Sequence, residues 1–207
     1  HLGFTLASDL SFDAHVSDIC RRVAGQVFLL RRLSTKTRNR QILLRVYKAF
    51  IRPLLEYASP AWASLNQGQQ EKLEKLQRRA IRIILNYDYM QPIVPADYDE
   101  LNLPRLRARR NFATTCYCFK LYTGRLPRRS SILMPFVQRH EHNTRRADLM
   151  IPDIAYPTTR LLDRSPFLFC VKLLNLCPAN LLLLTSVESF KNQLWRLHGE
   201  LDLFEAT

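Results

Sequence analysis

The chain has 207 residues, 47% of them hydrophobic, and carries 31 Lys and Arg against 18 Asp and Glu, a formal net charge of +13. That apolar content is enough to bury a core, which excludes a chain disordered throughout, and the basic balance points to an anionic partner such as nucleic acid or acidic lipid. The excess is uneven: residues 1 to 140 hold 24 basic against 10 acidic residues (+14), and residues 141 to 207 hold 7 against 8 (−1). The anionic partner is therefore expected on the first two-thirds.

The opening alternation Leu2, Phe4, Leu6 predicts a short strand within residues 1 to 11, with Ser8 and Asp9 marking a turn. From Phe12 to Leu33, Val16, Ile19, Val23, Val27 and Leu30 recur at threes and fours and predict an amphipathic helix capped by Ser11. The basic loop "STKTRNR" leads to a second helix over about 40 to 51, with Ile42, Leu43, Val46, Tyr47 and Phe50 as its buried face. Pro53 is expected to break or kink that helix and to push Arg52 toward an extended conformation. In "EKLEKLQRRAIRIIL" (71 to 85), Leu73, Leu76, Ala80, Ile83 and Ile84 share one arc of a helix, and Lys75, Arg78, Arg79 and Arg82 crowd the other. Residues 12 to 87 thus read as a helical bundle.

Residues 88 to 164 read as a connector. It holds a proline-punctuated stretch with one helical turn near Tyr98, a helix from Leu106 to Tyr122 closed by Gly124, and an irregular proline-containing segment over 125 to 164. Helices over 167 to 176 and 187 to 201 complete a C-terminal segment, 165 to 207. The fold class is mainly α: a helical bundle after a short strand, then an irregular segment and C-terminal helices.

No catalytic constellation is present; there is no P-loop, GxSxG or HExxH. Asp97, Asp99 and Glu100 have an arrangement that could hold Mg2+, but acids at a helix start favour the positive dipole end, which is the better reading. His15 and His198 are isolated. Five cysteines, an odd number, fit a reducing compartment, and Cys116 and Cys118 with His140 and His142 lack the spacing of a zinc site. No 18-residue apolar run occurs, and no membrane partner is expected. Tyr47, Phe50, Tyr57 and Trp62 lie beside Arg45, Lys48 and Arg52, an interleaving that can stack bases and pair phosphates, yet Tyr47, Phe50 and Trp62 fall on apolar stripes and read as core.

The stretches "HLGFTL", "HVSDICRRVAGQVFLLRRLS", "LLRVYKAFIRPLLEYASPAWAS", "EKLEKLQRRAIRII", "YDELNLPRLRARR", "FKLYTGRLP" and "SFKNQL", in this order, resemble the region after the polymerase palm in reverse transcriptases of non-LTR (LINE) retrotransposons, the Jockey-like lineage in particular. The resemblance implies that residues 1 to 11 are the palm exit, with Leu2 and Gly3 matching it, and that residues 12 to 87 are the thumb. Arg52, Pro53, Glu56, Tyr57, Ser59, Pro60 and Trp62 match its signature, and Leu73, Glu74, Gln77, Arg78 and Arg79 match its basic helix. The family's metal-binding aspartates belong to an upstream xADD hairpin, so the resemblance implies an excerpt of an RNA-directed DNA polymerase, inactive alone, with no cofactor in this chain and Mg2+ only in the missing palm. Departures are Ala7 for an acid, and "LLNLCP" for "LWNSLP", with Leu174 and Cys177 at the changed positions; no terminal Cys3His knuckle is present.

The expected partners are the backbone of an RNA/DNA hybrid or RNA template and the missing palm and fingers, in an intracellular, nuclear or cytoplasmic setting rather than a secreted one. The residues expected to bind nucleic acid are Arg31, Arg32, Lys36, Arg38, Arg45, Lys48, Arg52, Lys75, Arg78, Arg79, Arg82, Arg109 and Arg110. A rival expectation is a helical protein-interaction module, or a domesticated transposon remnant, without nucleic-acid binding.

Overall fold

The computed structural model describes residues 3–5, 7, 11–126, 137–139, 150–152 and 165–201. They are mainly helical and divide into two compact units, one of His1–Ala58 with Leu65–Arg109, the other of Ser59–Ser64 with Arg110–Thr207. Gly3, Phe4, Thr5 and Ala7, the described part of the expected opening strand, form no strand, and Leu2, Leu6, Ser8 and Asp9 lie outside the described residues.

In the first unit, α1 (Asp13–Ser34) packs along α4 (Gln67–Leu85). The stripe Val16, Ile19, Val23, Val27 and Leu30 is buried as expected, and it meets Leu73, Leu76, Ala80 and Ile84, buried on α4. Each such aliphatic side chain removed from water contributes roughly 1.5–3 kcal/mol, so this seam dominates the unit. The N-cap of α1 is Phe12, one residue after the expected Ser11; its side chain makes no cap hydrogen bond and packs edge-on to Phe4, ring centroids 6.1 Å apart. α4 starts at Asn66 with a reciprocal capping box: Asn66 accepts from the Gln69 amide at 2.8 Å, and the Gln69 side chain accepts from the Asn66 amide at 3.0 Å. It ends at Asn86, left-handed at φ 58°, with the Tyr87 amide donating to the Arg82 carbonyl.

Pro53 does not break the chain's second helix. α2 (Arg40–Val46) passes into a π-helical turn, Tyr47–Ile51, and then into α3 (Arg52–Glu56). Arg52 is αR, not extended, and its amide reaches back five residues to the Tyr47 carbonyl. The widened turn lets the chain stay helical around a residue with no N–H, so of the expected break or kink the break is absent. The same turn shifts the buried face. Leu43, Tyr47, Ile51 and Leu55 are buried at intervals of four, whereas Ile42 and Phe50, expected in the core, are 44% and 65% exposed.

α5 (Pro95–Glu100) follows, and α6 (Leu106–Tyr122) begins in the first unit and supplies the second from Arg110 onward. α6 ends as expected at Gly124, φ 66°: the Arg125 amide donates to the Lys120 carbonyl and the Gly124 amide to that of Leu121. The second unit also contains the 3-10 turn Ser59–Trp62, the antiparallel strands β1 (Val137–Arg139) and β2 (Met150–Pro152), and helices α7 (Pro166–Leu176), α8 (Ala179–Leu182) and α9 (Val187–Leu201). The short α8 was not expected from the sequence.

In that unit Phe119 stacks on Phe190, centroids 3.8 Å apart, and Phe112 meets Trp195 edge-on at 5.1 Å. On α6 Ala113 is exposed, and the polar Asn111, Thr114 and Thr115 are buried, with the Thr115 hydroxyl donating to the Asn111 carbonyl. The cysteines were expected to stay reduced. The structure joins Cys118 to Cys170 in a disulfide and leaves Cys20, Cys116 and Cys177 as thiols. With Cys118 so committed it is no metal ligand, and His140 and His142 lie outside the described residues.

Candidate nucleic-acid interface

The C-terminal half of α1, the loop after it and the C-terminal half of α4 enclose a hollow of about 580 Å³ in the first unit. Arg31 comes from the last turn of α1, Arg38 from the loop, Arg79 and Arg82 from the outer arc of α4. These arginines flank the α1–α4 seam instead of standing opposite it, since Val27 and Ile83, at the edge of the seam, line the same hollow. No acidic residue lines the hollow, and Arg31, Arg38 and Arg79 have no carboxylate partner among the described residues.

The remaining wall mixes aliphatic, polar and aromatic side chains: Val27, Ile83, Phe28, Ser34, Thr35, Asn86, Tyr87 and Tyr89. Two hydrogen bonds hold the segment after α4 in place. The Tyr87 hydroxyl donates to Asp97 at 2.8 Å, and Arg82 Nε donates to the Gln91 carbonyl at 2.9 Å. Asp97 also accepts from the Val94 amide at 2.7 Å, so it caps α5, in line with its reading as a helix-start acid. Among the described residues no group of three or more His, Cys, Asp or Glu could hold a metal ion.

The other expected contact residues do not line this wall. Arg32, Lys36, Arg45 and Lys75 are exposed elsewhere on their helices and loop. Arg78 is ion-paired with Glu71. Lys48 and Arg52 sit half-buried on the π turn and α3, where burial, then the neighbouring Arg52 and Arg109 charges, hold the Lys48 ammonium below its usual range. Arg109 is clamped by both oxygens of Glu56, its NH2 group 3.0 Å from Oε2. Arg110 departs furthest from the expectation: it is buried, 6% exposed, with its guanidinium 5.0 Å from the Trp62 ring centroid. Trp62 and Tyr47 are core as expected, and Tyr57 is 58% exposed.

Glu74 and Gln77, on the same helix as the basic arc, are buried and organise the unit. Gln77 accepts from the Tyr47 hydroxyl at 2.5 Å and donates to the Pro104 carbonyl at 3.0 Å. Glu74 accepts from the Tyr98 hydroxyl at 2.9 Å and from the Leu106 amide, at the start of α6, at 3.0 Å. Burial pushes the Glu74 carboxyl above its ordinary value, against the pull of these hydrogen bonds.

Sequence reasoning missed Phe28, Tyr87 and Tyr89. Phe28 had one available signal, since it lies off the Val16–Leu30 stripe and is 60% exposed. Comparison with known protein families, with curated proteins and with solved structures gives no match to the chain. No helix among the described residues is long and apolar enough to cross a membrane.

Proposed function

We propose that this chain is the thumb and following segment of a retrotransposon-type reverse transcriptase, and that its first unit grips the phosphate backbone of an RNA/DNA hybrid without reading bases. The observation that carries the reading is the convergence of Arg31, Arg38, Arg79 and Arg82 on one carboxylate-free wall. Lys and Arg contacts to phosphate are independent of sequence and release counterions, so they serve a holding role. Positioning the template and primer is this chain's contribution. Two-metal phosphoryl transfer belongs to the palm aspartates that the resemblance places upstream.

The test is hybrid-duplex binding as a function of salt. Affinity falls steeply with added salt, and changing Arg31, Arg38, Arg79 and Arg82 together to Ala reduces both the affinity and the salt slope, by about 0.9 for each phosphate no longer neutralised. Unchanged affinity in that variant overturns the reading. A protein-interaction module is the second reading, favoured by the exposed Ile42, Phe50 and Tyr57 on and after the α2–α3 helix; it predicts no nucleic-acid binding even at low ionic strength.

A further inference from the structure

We infer that the arginine-walled hollow takes an unpaired segment of nucleic acid, with a phosphate on the arginines and a base stacked on Tyr89 or Phe28. This rests on the nucleic-acid reading above and deepens it: the arginines that grip the backbone of the hybrid also seat an unpaired nucleotide of a strand running on from it. The first support is the pairing of residue types. Tyr89 is 74% and Phe28 60% exposed, and both line the same hollow as the four arginines. Large rings left in water beside several cations are the arrangement that single-strand binders use, since every base offers a flat face for stacking. A duplex, with its bases already stacked on each other, has no use for them.

The second support is electrostatic. α1 and α4 both end at the hollow, and basic residues near helix C-termini are expected from the macrodipole alone. That accounts for Arg31 and Arg82, which lie in last turns, but not for Arg38 in the loop. Two helix ends carry about half an elementary charge each, against four full positive charges. The terminal carbonyls are also occupied: Ser34 and Thr35 hydroxyls donate to the Arg31 and Arg32 carbonyls at 2.7 and 2.8 Å, and the Tyr87 amide to that of Arg82 at 2.9 Å. The hollow therefore stays positive, and an anion is its ligand.

The third support is rigidity. Tyr87, anchored on Asp97, and Arg82, anchored on the Gln91 carbonyl, hold the segment that carries Tyr89 before any ligand arrives.

The test compares fluorescence anisotropy of the 207-residue chain with oligodeoxythymidine of about 12 nucleotides, an abasic oligomer of the same length and charge, and a hybrid duplex. Oligodeoxythymidine binds about 10-fold tighter than the abasic strand. Tyr89→Ala and Phe28→Ala lower that affinity toward the abasic value, while Tyr89→Phe, which keeps the ring, retains it; duplex affinity is the same in all three. Both replaced side chains are exposed, so the fold is not at stake, and circular dichroism checks this. Equal affinity for thymidine and abasic strands, or alanine variants that bind thymidine like the parent, overturns the inference while leaving backbone gripping in place if the duplex still binds. No binding to any of the three overturns both.

Discussion

The Tyr47 hydroxyl donates to Gln77 Oε1 at 2.5 Å inside the core, joining the π turn of the second helix to the middle of α4. Both residues are fully buried, so neither group can turn to water if the other is removed. Burial pushes the Tyr47 phenol well above its ordinary range, and it remains a neutral donor at any physiological pH. Gln77→Leu leaves both the phenol and the Pro104 carbonyl without this partner and is expected to cost about 1–3 kcal/mol for each unsatisfied group. Tyr47→Phe is expected to cost less, because only the Gln77 oxygen loses a bond. Urea denaturation of both single variants and the double variant reads the coupling, expected at 0.5 kcal/mol or more, on the order of that for residues in contact.

Glu74 gives the unit an alkaline weakness. Its folded value lies above its ordinary 4.5, so the folded state holds a proton that the unfolded state has released. Its contribution is fully present below pH 4.5 and is lost as pH rises through the raised folded value. Glu74→Gln removes the titration and keeps an oxygen for the Leu106 amide, while its NH2 group takes the place of the oxygen that faces the Tyr98 hydroxyl. Stability measured from pH 4 upward should therefore shift in favour of the variant as pH rises, about in step with proton release. A difference between parent and variant that does not change with pH refutes this.

His15 has the opposite sign. It is buried beside Phe4, with ring centroids 4.7 Å apart, and Nδ1 accepts from the Thr5 amide at 3.4 Å. Burial, helped by Arg22, lowers its value below the ordinary 6.5. The folded state then binds fewer protons than the unfolded one, so the contribution is present above pH 6.5 and lost as pH falls through the lowered value. The melting temperature of the parent should drop on acidification from pH 7 through this window. His15→Leu should flatten that part of the profile.

The α4 terminus depends on a conformation that few side chains tolerate. Asn86 sits at φ 58° and closes the helix at the edge of the arginine hollow. Asn86→Ala is expected to cost roughly 1 kcal/mol in unfolding free energy, since a Cβ is disfavoured there, while Asn86→Gly should be close to neutral. The alanine variant should also loosen the Tyr87–Gln91 segment, seen as faster amide exchange at Tyr87, whose N–H bonds the Arg82 carbonyl.

Regular periodicity made much of this molecule legible. Val16, Ile19, Val23, Val27 and Leu30 follow the helical repeat, and all are buried. What a local pattern cannot carry is the meeting of separate elements. The basic character of Arg31, Arg38, Arg79 and Arg82 was plain, but their convergence depends on how α1 lies on α4, which no single stripe specifies. Arg110 shows the converse: charge placed it outside, and the buried Trp62 ring beneath its guanidinium places it within. The Cys118–Cys170 link joins residues 52 apart in sequence, and nothing in their spacing announces it.

Phe50 and Ile51 test the most informative departure. An uninterrupted α-helix carrying Leu43 and Tyr47 inward would turn Phe50 inward as well, because three and four residues bring the chain back to the same face. The π turn adds about one residue to a single revolution, so Ile51 takes the inward place at 1% exposure and Phe50 is left at 65%. Ile51→Ala should therefore cost about 2–5 kcal/mol through reduced burial and a cavity. Phe50→Ala, although it removes the larger side chain, should change stability by no more than about 0.5 kcal/mol. Chemical denaturation of the two variants separates the alternatives, because an α-helical register predicts a large loss at Phe50 as well. The same turn keeps Pro53 inside the helix, so Pro53→Ala should leave the far-ultraviolet dichroism of the chain unchanged; a gain in helical signal would mean that the proline had broken the helix after all.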